Sequence, residues 1–298
     1  MSRILVSGAS GFIGKPLTDY LSLRGHAIVK LVRTPQPGNP DTIFWDPDMG
    51  QAPKEQFEGF DAVIHLAGEP LSLGRRTSAK REKIRSSRIV GTHFLAQILS
   101  HLSCPPKVFI SASAVGFYGD RGEEILTETS RNGHSFLASV CSEWEKASAP
   151  LKNRGIRVVH TRFGMVLGPN GGILQKMLVP FKLGLGGSLG SGRQWLSWIA
   201  REDLIRALDH ILQNSSLEGA VNVVSPHPVC QENFSKILAE TLHRPAFGNL
   251  PAWFLRLIFG KSADEMLLAS TRVKPEKLLL SGFSFHCPFL KDALRKAL

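Results

Sequence analysis

The sequence predicts an α/β fold: a doubly wound parallel sheet of the Rossmann type with a smaller C-terminal lobe. Three observations indicate it. A glycine-rich turn near the N-terminus separates a short apolar run from a helical pattern. Apolar runs and helical patterns then alternate, as they do in parallel sheets with right-handed crossovers. Past Gly164 glycines become frequent and the alternation weakens, which predicts a loop-rich lobe.

The glycine-rich turn runs from Gly8 to Gly14, after the apolar run Ile4–Val6. Its spacing is G-x-x-G-x-x-G rather than the commoner G-x-G-x-x-G. Glycines let the backbone approach a pyrophosphate closely, and a helix N-terminus offers N–H groups to phosphates. The turn predicts a bound dinucleotide, and a tight turn without a ligand is the alternative. The predicted contacts are Gly8, Ser10, Gly11, Phe12, Ile13 and Gly14.

The end of the second predicted strand, Ala27 to Val32, indicates which dinucleotide binds. NAD-binding forms place a carboxylate about 20 residues after the glycines, where it binds the ribose 2′-hydroxyl. The sequence has no Asp or Glu between Asp19 and Asp41, and Arg33 stands at the strand end instead. A guanidinium can form a bidentate contact with a 2′-phosphate. We therefore predict NADP(H); the alternative is that Arg33 is only an exposed cation.

The third and fourth predicted strands carry further candidate contacts. Thr42 to Trp45 precedes Asp46, which either accepts a hydrogen bond from the adenine amino group or caps the following turn. Asp61 to Leu66 is typical of a buried parallel strand, and we expect His65 within it to pack in the core. Small residues after this strand let a cofactor pass close to the backbone. The predicted contacts there are Leu66, Ala67 and Gly68.

A long helical pattern extends from about Ser78 to Leu102, and its first half is basic. The basic residues are Lys80, Arg81, Lys83, Arg85 and Arg88. A solvated face is the simpler interpretation of these charges, and attraction of an anionic substrate is the alternative. Such a helix also suits a dimer interface.

Hydroxyl groups end the fifth predicted strand. Lys107 to Ile110 runs into Ser111-Ala112-Ser113, and the carboxyl ends of central strands are where ligands bind in doubly wound sheets. Ser111 is a predicted cofactor contact. A loop over 120–133, a helix over 135–152 and a sixth strand over 156–162 follow. Arg162 at the end of that strand either meets a substrate anion or pairs with a nearby acid.

The segment past Gly164 predicts a loop-rich substrate lobe, which either closes over a ligand or is a packed lid with only a structural role. Five glycines lie within the nine positions from Gly184 to Gly192. A helix over 201–213, a strand over 221–224 and a mainly helical end with a short strand at 283–285 follow. We divide the chain into a cofactor-binding Rossmann core over 1–165, substrate-lobe segments interleaved with the last core elements over 166–248, and a C-terminal extension over 249–298.

Composition limits the functional classes. The 298 residues are 43% apolar, enough for a sizeable core, and the formal net charge is +11. That charge fits a phosphate-bearing cofactor, and without a nucleic-acid motif we expect no nucleic-acid partner. The four cysteines form no C-x-x-C pair, so we expect no metal and a reduced, cytoplasmic chain. No apolar run reaches the ~18 residues of a membrane helix, and we expect no signal peptide before the first strand.

These residues resemble the extended short-chain dehydrogenase/reductases, the superfamily of sugar-nucleotide epimerases, over essentially the whole chain. The strongest anchors are Gly8–Gly14, Leu66–Gly68 and Ser113–Gly119. A closer resemblance is to an atypical epimerase-like subgroup of bacteria and organelles, sometimes labelled cell-division inhibitors. The marks of that subgroup are segments 66–70, 180–187, 190–194 and 224–226, and an extension from about residue 249.

The superfamily uses a Tyr-x-x-x-Lys pair that this sequence lacks. The resemblance implies that the tyrosine protonates substrate, that the lysine lowers the tyrosine pKa and holds the nicotinamide ribose, and that a serine ending the fifth strand polarises the substrate carbonyl. Ser113 matches that serine. Phe136 and Val140 occupy the other two positions, and neither side chain can donate a proton or bind ribose hydroxyls.

Three explanations for the missing pair stay open. In the first, another residue donates the proton to substrate, with Tyr118 and Glu69 as candidates beside Ser113. In the second, water or a group of the substrate transfers the proton. In the third, the protein binds NADP(H) without turnover. We predict an NADP(H)-dependent oxidoreductase or epimerase-like enzyme acting on a small molecule, with an anion as one option. The alternative is a catalytically inactive NADP(H)-binding regulatory protein. The resemblance also implies a homodimer.

Overall fold

The computed structural model describes residues 1–71, 77–246 and 248–298. The strands in these ranges are β1 (Arg3–Ser7), β2 (Ala27–Val32), β3 (Thr42–Phe44), β4 (Ala62–His65), β5 (Val108–Ala114), β6 (Ile125–Leu126), β7 (Arg157–Phe163), β8 (Met165–Leu167), β9 (Gly187–Leu189), β10 (Trp195–Leu196), β11 (Trp198–Ala200), β12 (Gly219–Val223), β13 (Val229–Cys230), β14 (Gly248–Leu250) and β15 (Arg272–Val273).

The helices in the same ranges are α1 (Gly14–Leu23), α2 (Ser78–Ser100), α3 (Phe136–Lys146), α4 (Ala149–Lys152), α5 (Gly172–Lys182), α6 (Arg201–Gln213), α7 (Gln231–Leu242), α8 (Ala252–Phe259), α9 (Lys261–Met266), α10 (Glu276–Leu280) and α11 (Leu290–Ala297). Short 3-10 helices cover Lys54–Phe57 and Val115–Tyr118.

Seven parallel strands form the central sheet in the order β12-β7-β5-β4-β1-β2-β3. The chain starts at β1, adds β2 and β3 on one side, and then returns to build the other side from β4 outward. This reversal opens a crevice between the carboxyl ends of β1 and β4, where ligands bind in doubly wound sheets. The predicted fold class is confirmed.

Both faces of the sheet are buried, because alternate residues of each strand join different cores. In β1, Ile4 and Val6 pack in a cluster that includes residues of α1 and α6, whereas Leu5 packs with residues of α2 on the opposite face. This two-sided burial explains why the strands are continuous apolar runs in the sequence rather than alternating ones.

The predicted helix over 135–152 is divided into α3 and α4, and this part of the prediction was wrong. Pro150 lies at the start of α4, and a proline cannot donate the backbone hydrogen bond that one continuous helix requires at that position. The loop predicted over 120–133 contains the short strand β6, which pairs with β15.

The strand predicted at 283–285 was also wrong, because this segment is not part of a sheet. The rings of Phe283 and Phe285 meet edge to face with centroids 4.8 Å apart, and both pack on the core that contains α6. Their alternation in the sequence reflects packing of the rings, not a hydrogen-bonded ladder.

The remaining elements form the C-terminal lobe around a core of their own. Short strand pairs (β10 with β13, β11 with β8, β14 with β9) build its frame. Trp198, Phe234 and Leu290 share its core, to which α7 and the C-terminal helix α11 both contribute. The three-part division of the chain stays a prediction. Within the described ranges, no helix has the length and apolar character to cross a membrane.

Candidate functional site

A cavity of about 810 Å³ opens at the carboxyl edge of the sheet. Its lining among the described residues begins at the glycine turn, continues past the ends of β4 and β5 and along one face of α3, and ends on α5, β9, β10 and α9. The cavity therefore joins the turn predicted to bind a dinucleotide to the predicted substrate lobe.

The glycine turn has no room for a β-carbon at Gly8 or at Gly14. A β-carbon at Gly14 would lie 2.1 Å from the Gly8 carbonyl oxygen, and one at Gly8 would lie 2.8 Å from the Leu66 carbonyl carbon. Gly8 also has a φ of 68°, which L side chains rarely adopt. Helix α1 begins directly after the turn, and no side-chain hydrogen bond from the described residues caps it at Ile13. The backbone N–H groups of this helix start are suited to an anion.

Ser7, which the sequence analysis did not single out, fixes the turn to β4. Its hydroxyl accepts hydrogen bonds from the backbone N–H groups of Leu66 at 3.1 Å and Ala67 at 3.2 Å. It donates to Nδ1 of His65 at 2.7 Å. Burial lowers the pKa of His65 to about 4, so this ring is neutral. The expectation that His65 is a core histidine is confirmed, since it is fully buried.

Not every predicted cofactor contact belongs to the cavity. Gly8, Gly11, Phe12, Ile13, Gly14, Leu66 and Gly68 line it. Ser10, Ala67, Ser111, Arg33 and Asp46 are not part of that lining as far as the structure describes it. Ser111 is fully buried and donates to the carbonyl oxygen of Ala112 at 3.2 Å, and its contact with the cofactor stays a prediction. Asp46 caps a turn, because one carboxylate oxygen accepts from Asp48 N–H at 3.0 Å and Met49 N–H at 3.1 Å.

Glu69 is surrounded by cations rather than facing the cavity. It pairs with Lys80, and Lys83 lies 3.8 Å from its other oxygen. The hydrogen bond from Lys80 and the charges of Lys80, Lys83 and Arg33 hold the pKa of Glu69 below its usual value. Glu69 is therefore ionised at neutral pH, which disfavours a proton donor, and its role as the substrate acid stays a prediction. Arg33 itself is 59% exposed.

Ser113 lies in the cavity above a buried ion pair. Its hydroxyl donates to Oε1 of Glu145 at 2.7 Å. Arg162 forms two hydrogen bonds of 2.8 Å with the same carboxylate, and β5 and β7 place Ser113 and Arg162 side by side in register. Arg162 was expected either to meet a substrate anion or to pair with a nearby acid, and in the structure it pairs with the acid Glu145. Glu145 was missed by sequence reasoning, because only the fold brings α3 to the end of β7.

Tyr118, the other candidate acid, belongs to a buried polar network, and its role as the substrate acid stays a prediction. Its side chain is fully buried and lies outside the described cavity lining. The hydroxyl donates to Asn222 at 2.6 Å and accepts from Arg162 at 2.9 Å. Burial raises the pKa of Tyr118 above its ordinary value, against the charge of Arg162. The residue extends the buried polar network beneath Ser113.

One face of α3 replaces the missing acid–base pair with apolar side chains. Leu137, Val140, Cys141 and Trp144 line the cavity. Burial raises the pKa of Cys141 to about 12, so this thiol is neutral. Phe136 packs instead under the guanidinium of Arg81, 4.1 Å from its ring centroid.

Arg88 brings a positive charge to the cavity wall. Its guanidinium carbon lies 5.1 Å from the ring centroid of Trp144, and 3.6 Å from where a β-carbon of Gly68 would stand. The basic stretch of α2 was the only sequence signal for this contact.

Comparison with known proteins identifies the family. The model of the NAD dependent epimerase/dehydratase family matches residues 4–224. The chain belongs to this family. In this epimerase-family chain, a domain of unknown function (DUF1731) matches residues 250–297, and the resemblance found from the sequence is confirmed.

Relatives of this epimerase-family chain cover its whole length. It is 37% identical over 291 residues to epimerase family protein Mb2239 of Mycobacterium bovis, which spans 98% of this chain and 96% of that protein. The human epimerase family protein SDR39U1 (isoform2), solved with NADPH, matches with a TM-score of 0.90 and 32% identity over 99% of this chain and 98% of that one. UDP-glucuronic acid 4-epimerase from Bacillus cereus, solved with UDP-glucuronic acid and NAD, has a TM-score of 0.78 but 18% identity over 99% and 97%, and shares the fold alone.

Proposed function

We propose that this protein is an NADP(H)-dependent oxidoreductase or epimerase-like enzyme that works without the Tyr-x-x-x-Lys pair. The observation that carries the proposal is the closed glycine turn, in which Gly8 and Gly14 leave no room for a β-carbon and the start of α1 opens on the cavity. The NADPH in the human relative supports the same cofactor for this chain.

The preference for NADP(H) over NAD(H) rests on the cations around Glu69. Arg33 and Lys83 are both more than half exposed, so their side chains can turn toward a 2′-phosphate. Lys80 adds a third positive charge. Such a cluster attracts a dianionic phosphate, which NADP(H) carries and NAD(H) lacks.

The chain's own residues divide the remaining work. The backbone from Gly8 to Gly14 would bind the pyrophosphate, and NADP(H) would supply or accept a hydride. The apolar side chains of Val140 and Trp144 exclude water from the cavity. Ser113, held by Glu145, would orient a polar group of the substrate.

Calorimetric titration with NADPH and NADH tests the cofactor assignment. We expect the wild-type protein to bind NADPH at least tenfold more tightly, and Arg33→Ala to lose about tenfold in NADPH affinity while its NADH affinity is unchanged, because only NADPH carries the 2′-phosphate. Lys107→Ala is the matched control, because Lys107 is an exposed cation directly before β5, at the amino ends of the strands and away from the cavity. Equal affinity of the wild-type protein for the two dinucleotides contradicts the assignment.

A catalytically inactive NADP(H)-binding regulatory protein is the second candidate, favoured by the apolar face of α3. Absorbance of the reduced nicotinamide, followed against a panel of alcohols, carbonyl compounds and sugar nucleotides, separates the two. Turnover that falls about 100-fold or more in Ser113→Ala supports the enzyme. Tight NADPH binding without turnover of any compound supports the regulatory protein.

We also propose a cytoplasmic homodimer that uses the exposed face of α2. Val90 on this helix is 44% exposed, and a carboxylate there would oppose burial in an interface. Sedimentation velocity should give a dimer for the wild-type protein and a smaller species for Val90→Glu. A monomeric wild-type protein contradicts this proposal, and cell fractionation tests the location.

A further inference from the structure

The cavity walls beyond the glycine turn are apolar. Helix α3 contributes Leu137, Val140 and Trp144, and the lobe contributes Met177, Leu189 and Leu196. These walls face the end of β5, where Ser113 stands. A ligand that reaches Ser113 must therefore bury most of its surface against hydrocarbon and aromatic side chains.

Two buried polar residues in the lobe part of the lining, Gln231 and Ser197, have hydrogen-bond partners within the protein. The amide of Gln231 accepts from the Leu189 N–H at 2.8 Å and donates to Ser235 at 3.0 Å. The Ser197 hydroxyl donates to the Thr271 carbonyl at 2.7 Å and accepts from the Val273 N–H at 2.9 Å. Both side chains serve the architecture of the lobe.

Three charged side chains, Arg88, Lys176 and Glu265, belong to the described lining. Arg88 packs beside Gly68, at the end of β4 next to the glycine turn. Gln175 and Lys176 are exposed to solvent on α5. Glu265 accepts a hydrogen bond from the Phe136 N–H at 3.1 Å. Among the described lining residues, apolar side chains therefore outnumber polar ones, which disfavours a ligand with many hydroxyls.

The Ser113 hydroxyl can accept a hydrogen bond from a ligand but not donate one. It has one proton, which points to Glu145 at 2.7 Å. Arg162 donates to both oxygens of that carboxylate, so the Glu145 oxygens act as acceptors in this network and the Ser113 proton is used there. A ligand hydroxyl can donate a hydrogen bond to a remaining lone pair of the Ser113 oxygen. A ligand carbonyl oxygen can only accept, so it forms no hydrogen bond with the Ser113 oxygen.

We propose that the cavity binds an apolar alcohol, whose hydroxyl donates to Ser113, and that it does not bind a nucleoside diphosphate sugar. This proposal rests on the proposed function, since the bound dinucleotide fills the turn end of the cavity. A sugar nucleotide would leave several hydroxyl groups without partners, and each such group weakens binding about tenfold.

Calorimetry on the NADP⁺-loaded protein tests the proposal with three probes: indanol, its ketone indanone, and UDP-glucuronic acid. Indanol should bind about three- to tenfold more tightly than indanone, which shares its carbon frame, and UDP-glucuronic acid should show no binding. Tighter binding of indanone or of UDP-glucuronic acid overturns the proposal, as does the absence of binding by both indanol and indanone.

Two serine variants locate the hydrogen bond. Ser113→Ala should lower the affinity for indanol to that for indanone and leave indanone unchanged. Ser139→Ala, the same change on the exposed face of α3, should keep the preference for indanol. A preference for indanol that survives Ser113→Ala overturns the role of Ser113.

An NADPH titration of the same sample distinguishes this inference from the proposed function. Failure to bind NADPH defeats the proposed function. NADPH binding with the wrong order of probe affinities defeats only this inference.

Discussion

A β-carbon added at Gly14 would meet the Gly8 carbonyl oxygen at 2.1 Å, and that contact involves rigid backbone on both sides. Neither group can move without changing the path of the turn or the start of α1. The shape of the turn therefore requires that residue 14 has no β-carbon. Dinucleotide affinity should depend on this one missing methyl group.

Gly14→Ala should lower NADPH affinity at least about tenfold, because the displaced turn no longer aims its N–H groups at the pyrophosphate. Calorimetry measures the affinity, and circular dichroism checks that the fold is retained. Gly91→Ala is the matched control, since a β-carbon in this α2 position would meet its nearest neighbour at an ordinary 3.7 Å. Unchanged NADPH affinity in Gly14→Ala would count against a phosphate site at this turn.

Tyr118→Phe should reduce the free energy of unfolding by about 1–3 kcal/mol, because it leaves buried groups of Asn222 and Arg162 without the hydroxyl they contact. Urea denaturation measures the loss. Tyr20→Phe removes the other tyrosine hydroxyl, whose bond to Asp209 is 3.4 Å long, and should cost less. NADPH binding by Tyr118→Phe should equal that of the wild-type protein, and equal stability of the two variants would refute the buried network.

Among the elements, those fixed by local sequence were predicted well. The bounds of α6 match the expected 201–213, because its apolar residues repeat with helical period and its first turn carries the acidic residues that favour a helix start. The alternation of strands and helices up to β7 follows from apolar runs that only a two-sided buried sheet explains. Errors arose where packing mimicked a pattern, as at Phe283 and Phe285.

The site was predictable only in part. The glycine turn and Ser113 stand out locally, since both sit at strand ends. The ion pair of Glu145 with Arg162 depends on the pairing of β5 with β7 and on how α3 crosses them, which no local pattern reveals. For the same reason Tyr118 looked available beside Ser113 in sequence, although it points into the core.

Helix α3 depends on its N-terminal cap. The Ser135 hydroxyl accepts a hydrogen bond from the Ala138 N–H at 3.1 Å. Ser135→Ala should therefore lower the free energy of unfolding by about 1 kcal/mol in urea denaturation. Ser139→Ala on the same helix, with an exposed hydroxyl, should change it by less than about 0.5 kcal/mol. A larger loss in Ser139→Ala would contradict this reading of the cap.

The molecule as a whole should lose stability as the pH falls below neutral. Burial lowers the pKa of His65 and of His160 to about 4, below the unfolded value of about 6.5. Between these values the unfolded chain binds more protons than the folded one, so stability rises with pH. Urea denaturation near pH 7 and pH 5 should differ by about 2 kcal/mol for each histidine. A flat profile would show that the pKa values of the two rings are not lowered in the folded protein.

The C-terminal helix should be indispensable for the lobe. Residues of α11 share a core with Trp198 and Phe234, and deleting 290–298 would expose that apolar surface to water. We expect the shortened protein to aggregate or to bind a hydrophobic dye strongly. Deletion of Leu298 alone, which is 46% exposed, should have no such effect. A soluble, dye-free 1–289 fragment would contradict the shared core.

The ion pair beneath Ser113 also determines which substitutions positions 136 and 140 tolerate. With Glu145 neutralised by Arg162, the buried charges balance without any contribution from positions 136 and 140. A lysine introduced at 140 would place an unpaired cation beside the Glu145–Arg162 ion pair and remove apolar packing. A tyrosine introduced at 136 would lack the lysine that lowers the tyrosine pKa in the usual pair. Each single substitution toward the usual pair should therefore lower stability without restoring the acid–base pair.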